Sequence, residues 1–408
     1  MTKTLEALFL IFDQRCKMLI LGLDIGYSNL KFAYGNEENE KKEVILPSGA
    51  GPLTSLPITL AGETVNKGVE VKIGDELWVG GVAHQAFSNI FRELHADYPL
   101  TDTYDALLKT ALASTGASNI DLLVTGLPVS QFKDKNKVKE LKNLLEGVHR
   151  INDSKEVIVR KATIVPQPVG GYASLIQESS EEILDTITTG ITVSIDPGFF
   201  SFDWVVLENG DIRSDLSGTS LQAVSVVLQE VSDSIFKKTG IRITVDYLEE
   251  AIRCNSNVLL VARKAIDIIP YIKEASLKIS EQAMKPILKN LRHEHKKISS
   301  IILCGGGASL YRKVTEELFA DSTIFIVNDS LLANANGFYY IGHNSRKHKN
   351  EEQWDGRISS MRVSPTAFPE LYEELKKTSH RDRIRRFCSL ATVALLARKN
   401  TIRLKHED

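Results

Sequence analysis

Two aspartate–glycine pairs in this chain follow strand-forming apolar runs. Asp24 and Gly26 end the first run, and Asp196 and Gly198 end the second. Another strand-forming run begins after each pair, so each segment predicts a β-hairpin. Backbone N–H groups clustered in such a turn can receive a phosphate, and an aspartate can hold a metal ion.

The two predicted hairpins share their spacing, because Lys31 follows Asp24 by seven residues and Asp203 follows Asp196 by seven. The second copy lies 172 residues after the first, which indicates two lobes built on one plan. Lys31 offers positive charge to a phosphate. Asp203 has two interpretations that the sequence leaves open, a ligand or a structural carboxylate that bonds the turn.

A glycine-rich segment is the third candidate for ligand binding. Ile301–Leu303 is a short buried strand that leads into Gly305, Gly306, Gly307 and Ala308, and a helix is predicted to follow. Backbone at such a point can lie flat against a planar or anionic ligand. The spacing is not that of a dinucleotide-binding fold, and a plain strand-to-helix turn is the alternative.

The elements around these segments alternate between strands and helices, which predicts an α/β protein. A length of 408 residues suits two lobes and a tail, and 43% apolar with 25% charged residues is typical of a soluble globular chain. A net charge of -2 gives no overall case for nucleic acid or membrane binding. The four cysteines form no C-x-x-C pair, which argues against zinc and disulfides and favours a cytoplasmic location.

The predicted organisation has five parts. They are an N-terminal extension (1–17), a first lobe (18–170), a second lobe (171–342), a polar linker (343–357) and a basic helical tail (358–408). The apolar run in the extension is too short for a membrane span, so we expect no membrane partner.

Two local predictions concern the second half of the chain. A long helix is predicted over 261–291, with breaks at Pro270 and Pro286. The tail helix carries Arg381, Arg383, Arg385 and Arg386 in its first turns, and either it docks on the fold with a solvated basic face or it contacts DNA or an adaptor.

Five segments stand in an order that resembles the actin, sugar-kinase and DnaK-type chaperone superfamily. They are phosphate loop one, a connecting helix, phosphate loop two, an adenosine loop and a second connecting helix: Asp24–Lys31, Pro166–Tyr172, Asp196–Asp203, Gly305–Ala308 and Ala333–Gly337. Three further segments resemble actin-like ATPases of the ParM type: Val79–Ala83, Thr125–Gln131 and Asn334–Phe338.

This resemblance implies a two-lobed actin-like (ribonuclease H-like, duplicated) α/β fold with an α-helical C-terminal extension. It also implies an ATPase or GTPase that holds its nucleotide with Mg²⁺ in a cleft and polymerises into filaments, serving plasmid or other DNA segregation. Its implied partners are further copies of the chain and, through the tail, a DNA-binding adaptor or centromere-like DNA. The alternatives are a monomeric small-molecule kinase and a non-filamentous scaffold of the same superfamily.

The resemblance also assigns roles to residues. Asp24 and Asp196 would hold Mg²⁺ through water, and Gln167 would orient the attacking water, so these three form the catalytic set. The nucleotide would be contacted by Gly26, Tyr27, Ser28, Asn29, Lys31, Gly198, Phe199, Phe200, Ser201, Gly305, Gly306, Gly307 and Ala308. Phe199 and Phe200 depart from the smaller residues of the family, which leaves only backbone and Ser201 to contact phosphate there.

Overall fold

The structure is a computed structural model that describes residues 18–36, 40–57, 68–87, 97–188, 190–293, 297–347, 369–378 and 382–404. The chain divides into two compact units. Unit 1 comprises the described residues up to Gly170 together with Asn334–His343, and unit 2 comprises Gly171–Ala333 and the described residues from Asn344 onward. The predicted extension 1–17 and residues 348–357 of the predicted linker lie outside the described residues.

Unit 1 contains eleven strands in the part of the chain that the structure describes. They are β1 (Ile20–Ile25), β2 (Asn29–Gly35), β3 (Lys42–Pro47), β4 (Gly49–Pro52), β5 (Val69–Ile73), β6 (Glu76–Val82), β7 (Asn119–Ile120), β8 (Leu122–Leu127), β9 (Gly147–Arg150), β10 (Glu156–Val159) and β11 (Ala162–Pro166). Among the described residues, the α-helices that lie wholly in unit 1 are α1 (Asp102–Ser114), α2 (Val129–Phe132) and α3 (Lys135–Leu145).

The central sheet of unit 1 has the strand order β11-β8-β1-β2-β3. Strand β1 is antiparallel to β2 and parallel to β8, and β8 is parallel to β11. Leu21 and Leu23 are fully buried in the hydrophobic core of the unit, as expected for a central strand covered on both faces. Two three-stranded sheets complete the unit, with the orders β4-β6-β5 and β7-β10-β9.

Unit 2 is built around a six-stranded sheet. Its strands are β12 (Ile191–Pro197), β13 (Phe202–Glu208), β14 (Asp211–Ile212), β15 (Gly218–Ser220), β18 (Ile298–Leu303) and β19 (Thr323–Ile326), and the unit also contains the hairpin of β16 (Val258–Val261) and β17 (Lys264–Asp267). The order is β14-β13-β12-β18-β19, and β15 also pairs with β13.

The two central sheets share one topology, although their sequences differ. Strand β12 is antiparallel to β13 and parallel to β18, and β18 is parallel to β19, which repeats the pattern of β1, β2, β8 and β11. The predicted duplication is therefore present in the strand connections. This agreement confirms the predicted α/β fold with two parts built on one plan.

The remaining helices lie in unit 2 or cross between the units along the chain. They are α4 (Pro168–Glu178), α5 (Glu181–Thr188), α6 (Val224–Thr239), α7 (Val245–Arg253), α8 (Ile269–His293), α9 (Ala308–Leu318), α10 (Ala333–Lys347), α11 (Pro369–Lys376) and α12 (Arg383–Leu404).

The helix predicted over 261–291 is wrong in its first part, where β16 and β17 form a hairpin. Ala262 and Arg263 make the turn with φ of 49° and 64°, a left-handed pair that sequence rules expect from glycine or asparagine. Pro270 is the second residue of α8, where a missing N–H costs nothing, and the helix continues through Pro286.

Helix α10 differs from its predicted assignment, because residues 334–343 belong to unit 1 rather than to a second lobe ending at 342. A side chain at Gly337 would collide with the backbone of Gly170, so the small residues allow the close packing that their pattern predicts. The helix also continues to Lys347, into the segment predicted as a linker.

The tail helices dock within unit 2, as the first interpretation of the tail expects. Arg386 Nη2 lies 2.8 Å from Glu374 Oε1 of α11, and its Nη1 lies 3.3 Å from Asp185 Oδ1 of α5. Arg383 Nε donates to a main-chain carbonyl of α11 at 3.1 Å. Two of the four arginines are therefore bonded within the unit, and Arg381 lies outside the described residues.

Candidate functional site

The β1–β2 hairpin places Asp24 directly opposite Lys31, since their seven-residue spacing makes them cross-strand partners. Lys31 Nζ lies 2.5 Å from Asp24 Oδ2, and Gln167 Nε2 donates to Asp24 Oδ1 at 3.2 Å. Asp24 and Lys31 are 3% and 8% exposed. Three of the predicted site residues therefore contact one another in unit 1.

This contact bears on the roles that the sequence assigned. Asp24 forms an ion pair with Lys31, whereas the resemblance directs the aspartate to a metal and the lysine to phosphate. An ammonium group has three donors, so Lys31 can hold Asp24 and still donate to an anion.

Burial and the nearby Asp24 charge raise the pKa of the Tyr104 hydroxyl, which therefore stays neutral beside the ion pair.

Residues 26–29, which we call loop one, form a closed turn in which Gly26 N donates to Asn29 O at 3.1 Å. The Tyr27 ring stacks on Tyr98, with ring centroids 4.4 Å apart. Burial and the charge of Asp97 raise the pKa of Tyr27, so its hydroxyl is protonated at neutral pH. Tyr27 thus packs with its ring inside unit 1, and its main chain is the part suited to an anion.

Residues 198–201, which we call loop two, close in the same way, with Gly198 N donating to Ser201 O at 2.8 Å. Asp203 lies directly opposite Asp196 across β12 and β13. Both Asp203 oxygens accept hydroxyl donors, Ser201 Oγ at 2.6 Å and Thr219 Oγ1 at 2.5 Å, and the residue is 1% exposed. This geometry favours the structural interpretation of Asp203.

The side chains of loop two contribute less to an anion site than the sequence allowed. Ser201 gives its hydroxyl proton to Asp203, and Phe199 packs against the hydrophobic core of unit 2. The backbone N–H groups are therefore the part of loop two that is suited to bind an anion. This agrees with the expectation that phenylalanine offers phosphate no side-chain donor.

The glycine-rich segment packs directly against the second hairpin. Gly305 has φ of +77°, and a Cβ there would collide with Asp196 Oδ1. Gly305 N donates to Ser330 O at 2.8 Å, and Gly307 N donates to Pro197 O at 3.0 Å. Glycine at 305 is required by both the backbone conformation and the space that Asp196 occupies.

Three residues that bond these loops were not singled out from the sequence: Ser48, His84 and Thr219. Ser48 and His84 bond carbonyls of loop one, and Thr219 bonds Asp203. None stands at a motif spacing, so no sequence signal identifies them. Their contacts arise from strand pairing between distant segments.

The donor set suits Mg²⁺ held mainly by phosphate oxygens and water. In the described part of the chain, no three His, Cys, Asp or Glu side chains are grouped so that they could hold a metal ion. Mg²⁺ needs only one or two protein carboxylates when phosphates supply further ligands. Each unit offers one such carboxylate beside a turn of closed backbone, Asp24 in unit 1 and Asp196 in unit 2.

One cavity of unit 1 is separate from these loops. A cavity of about 500 Å³ in unit 1 is lined by Tyr34, Lys42, Asp121 and Arg160 among others, and it includes none of the predicted site residues. No described helix has the length and apolar character needed to span a membrane.

Comparisons with known proteins match both halves of the chain. A family model described as "Actin like proteins N terminal domain" matches residues 22–170, and one described as "Archaeal actin homologue MreB-like, C-terminal" matches residues 194–317. An archaeal actin homolog of Thermoplasma volcanium is 27% identical over 341 residues, which are 79% of this chain and 98% of that protein.

Solved structures share the fold. An archaeal actin homolog in complex with ADP aligns with a TM-score of 0.61 and 21% identity, covering 81% of this chain and 100% of the other. A 15-stranded ParM filament from Clostridium botulinum aligns with a TM-score of 0.58 and 20% identity, covering 80% and 99%. These matches, the duplicated sheet and the order of the loops agree: both halves of the chain match actin-like families, as its motifs predicted, and the chain has the fold that ParM-type proteins share.

Proposed function

We propose that this protein binds ATP with Mg²⁺, hydrolyses it and polymerises into filaments. The observation that carries the proposal is the repeated hairpin, in which each unit presents a buried aspartate beside a closed turn. A similar protein was solved in complex with ADP, and another forms a filament, which supports the nucleotide and the assembly. GTP is the alternative nucleotide.

In this proposal the residues have distinct tasks. The backbone of loops one and two binds phosphate oxygens, and Lys31 adds positive charge while it stays bonded to Asp24. Asp24 of unit 1 and Asp196 of unit 2 are the carboxylates that would bond Mg²⁺-held water, and the ion would supply positive charge against the phosphates. Gln167 Nε2 donates to Asp24, so Gln167 Oε1 is the atom that would accept a hydrogen bond from the attacking water and orient it.

Gln167 is suited to orienting water rather than to removing a proton from it, because a neutral amide is a poor general base. The reaction then depends on geometry and proceeds slowly, as in other nucleoside triphosphatases that position water with glutamine. Slow hydrolysis is compatible with a filament that persists between assembly and turnover.

The experiment that tests the proposal combines sedimentation with light scattering. The full chain is mixed with Mg-ATP, Mg-GTP or no nucleotide, and we expect assembly with ATP and none without nucleotide. Absence of assembly with both nucleotides refutes the filament. ADP formation that requires an added small-molecule acceptor, with the phosphoryl group recovered on that acceptor and not as free phosphate, supports a kinase instead.

Asp196→Ala supplies the chemical test. We expect it to abolish phosphate release, whereas Asp321→Ala, the same change at an exposed position of unit 2, leaves release unchanged. Full turnover in the Asp196 variant would show that the site is misplaced.

We further propose DNA segregation as the use of the filament, with the tail contacting DNA or an adaptor. Arg383 and Arg385 are both exposed, and Arg383 also donates to a carbonyl of α11, so Arg385 is the exposed arginine on which this proposal mainly rests. Deletion of residues 358–408 should then weaken DNA binding measured at two salt concentrations. Binding that is unaffected by the deletion, or that shows no salt dependence in the full chain, contradicts this use.

A further inference from the structure

Loop one is bonded to the rest of unit 1 through three consecutive main-chain carbonyls, and Ser48 and His84 supply a donor to each of them. Ser48 Oγ donates to Gly26 O at 2.5 Å, and Ser48 N donates to Ser28 O at 3.2 Å. His84 Nε2 lies 3.1 Å from Tyr27 O. Because a carbonyl oxygen only accepts, His84 is the donor and carries its proton on Nε2.

These bonds determine the direction of the amides in loop one. A trans peptide is planar, and its C=O and the following N–H point in opposite directions. When Ser48 and His84 hold the carbonyls of Gly26 and Tyr27, the N–H groups of Tyr27 and Ser28 are directed to the opposite side of the turn. Successive N–H groups on one side form the kind of concavity that binds anions.

Loop two is held by an equivalent set of bonds whose donors are different. The carbonyls of Gly198 and Phe199 accept from the backbone N–H groups of Val224 and Ser225 at 3.1 and 2.9 Å, and the carbonyl of Pro197, directly before the loop, accepts from Gly307 N at 3.0 Å. Val224 and Ser225 begin α6, whose N-cap, Ala223, provides no side-chain bond, so the loop satisfies those helix amides. Backbone donors are present whatever the side chains are.

The two loops therefore differ in how they depend on sequence. Main-chain donors bond the carbonyls of loop two, whereas the side chains of Ser48 and His84 bond carbonyls of loop one. Ser48 is fully buried and lies between β3 and β4, and His84 lies two residues after the end of β6. Both donors thus lie at ends of strands in the β4-β6-β5 sheet, and loop one is bonded to that sheet.

We propose that Ser48 and His84 are positioning residues that orient the amides of loop one toward a phosphate and connect the loop to the β4-β6-β5 sheet. The proposal rests on the proposed function, in that loop one receives the phosphate. Neither residue touches the nucleotide, and each acts through a main-chain carbonyl.

The first experiment needs no nucleotide. Amide hydrogen exchange of a peptide that covers loop one is compared in the full-length wild type, His84→Phe, His84→Gln and Ser48→Ala. Phenylalanine keeps a planar ring without the donor, whereas glutamine places an N–H at a similar reach. We expect faster exchange in His84→Phe and Ser48→Ala, and near wild-type exchange in His84→Gln. Unchanged exchange in both Phe and Ala variants overturns the proposal, whatever the chain binds.

The second experiment measures Mg-ATP and Mg-ADP affinity by fluorescence titration of the same proteins. Loss of one hydrogen bond to the loop should weaken binding about 5- to 10-fold in His84→Phe and in Ser48→Ala. His84→Gln should restore affinity, an effect that a general loss of packing would not produce. Wild-type nucleotide affinity in both His84→Phe and Ser48→Ala overturns the positioning role.

A third measurement separates the connection to the sheet from the proposed function. Trp78 lies on β6, so its emission reports on that sheet when Trp204 and Trp354 are replaced by Phe. We expect nucleotide to change Trp78 emission in the chain with His84 intact and not in His84→Phe. A wild type that binds no nucleotide refutes the proposed function, and only the exchange experiment then decides whether Ser48 and His84 hold the loop.

Discussion

Replacement of Gly305 by alanine tests the packing between the glycine-rich segment and Asp196. The new Cβ would clash with Asp196 Oδ1, and the backbone at this position has φ of +77°. We expect the carboxylate or the segment to move, so the variant should lose both folding stability and turnover.

The magnitude follows from two separate costs. A non-glycine residue in the left-handed region costs about 1–2 kcal/mol. Overpacking against a group that must shift adds about 1–3 kcal/mol. A displacement of about 1 Å at a catalytic group can lower the rate about 10²-fold. We therefore expect a loss of about 2–5 kcal/mol in the free energy of unfolding of unit 2 and a loss of turnover near 10²-fold.

Gly240→Ala is the matched control. Gly240 ends α6 with φ of +71°, and nothing lies within 4 Å of a Cβ built there. It therefore has the conformational cost alone, about 1–2 kcal/mol, and should keep wild-type turnover. The difference between the two variants isolates the contact with Asp196.

The assay is urea unfolding followed by tryptophan fluorescence. Trp204 lies in β13 with 3% exposure, so it reports on the core of unit 2 when Trp78 and Trp354 are replaced by Phe. Turnover is measured as phosphate release from Mg-ATP. Equal losses of stability in Gly305→Ala and Gly240→Ala, together with equal turnover, would refute the reasoning.

Three further outcomes are expected. Gln167→Ala should lower phosphate release about 10²-fold with little change in nucleotide affinity, because the water loses its acceptor while Asp24 keeps its lysine. Burial lowers the pKa of His149, so the unfolded chain binds the extra proton and stability should fall as pH drops below about 6.5, by at most about 1.4 kcal/mol per pH unit in urea titrations. Gly337→Ala should destabilise unit 1 by about 1–3 kcal/mol, because its Cβ meets the backbone of Gly170.

Each of these outcomes has its own contrary result. Wild-type phosphate release in Gln167→Ala would remove the water-orienting role. A pH slope that His149→Phe leaves unchanged would assign the loss to other groups. Asn344→Ala changes an exposed residue of the same helix as Gly337 and should have almost no effect on stability, so equal effects of the two would show that helix packing is not the cause.

Local spacing was sufficient to predict much of this protein. Asp24 pairs with Lys31 across β1 and β2, and Asp196 pairs with Asp203 across β12 and β13. In each hairpin the four-residue turn lies midway between the two residues, so a separation of seven brings them opposite each other. The repetition of that pattern predicted two equivalent sheets. The glycine at 305 also indicated a close approach of backbone, and the structure shows what approaches it.

Other features required the tertiary structure. Sequence rules for turns do not predict the hairpin of β16 and β17, because they expect glycine or asparagine in left-handed positions and this turn has Ala262 and Arg263 there. The assignment of residues 334–343 to unit 1 depends on packing against Gly170, which lies far away in the sequence.

The same distinction applies to the loops themselves. The sequence alone determined which residues form the two turns, because turn formation depends on neighbours along the chain. Only the tertiary structure decided what orients them: Ser48 and His84 hold loop one, and Thr219 occupies one oxygen of Asp203. Such bonds join segments that strand pairing brings together, and no local pattern records them.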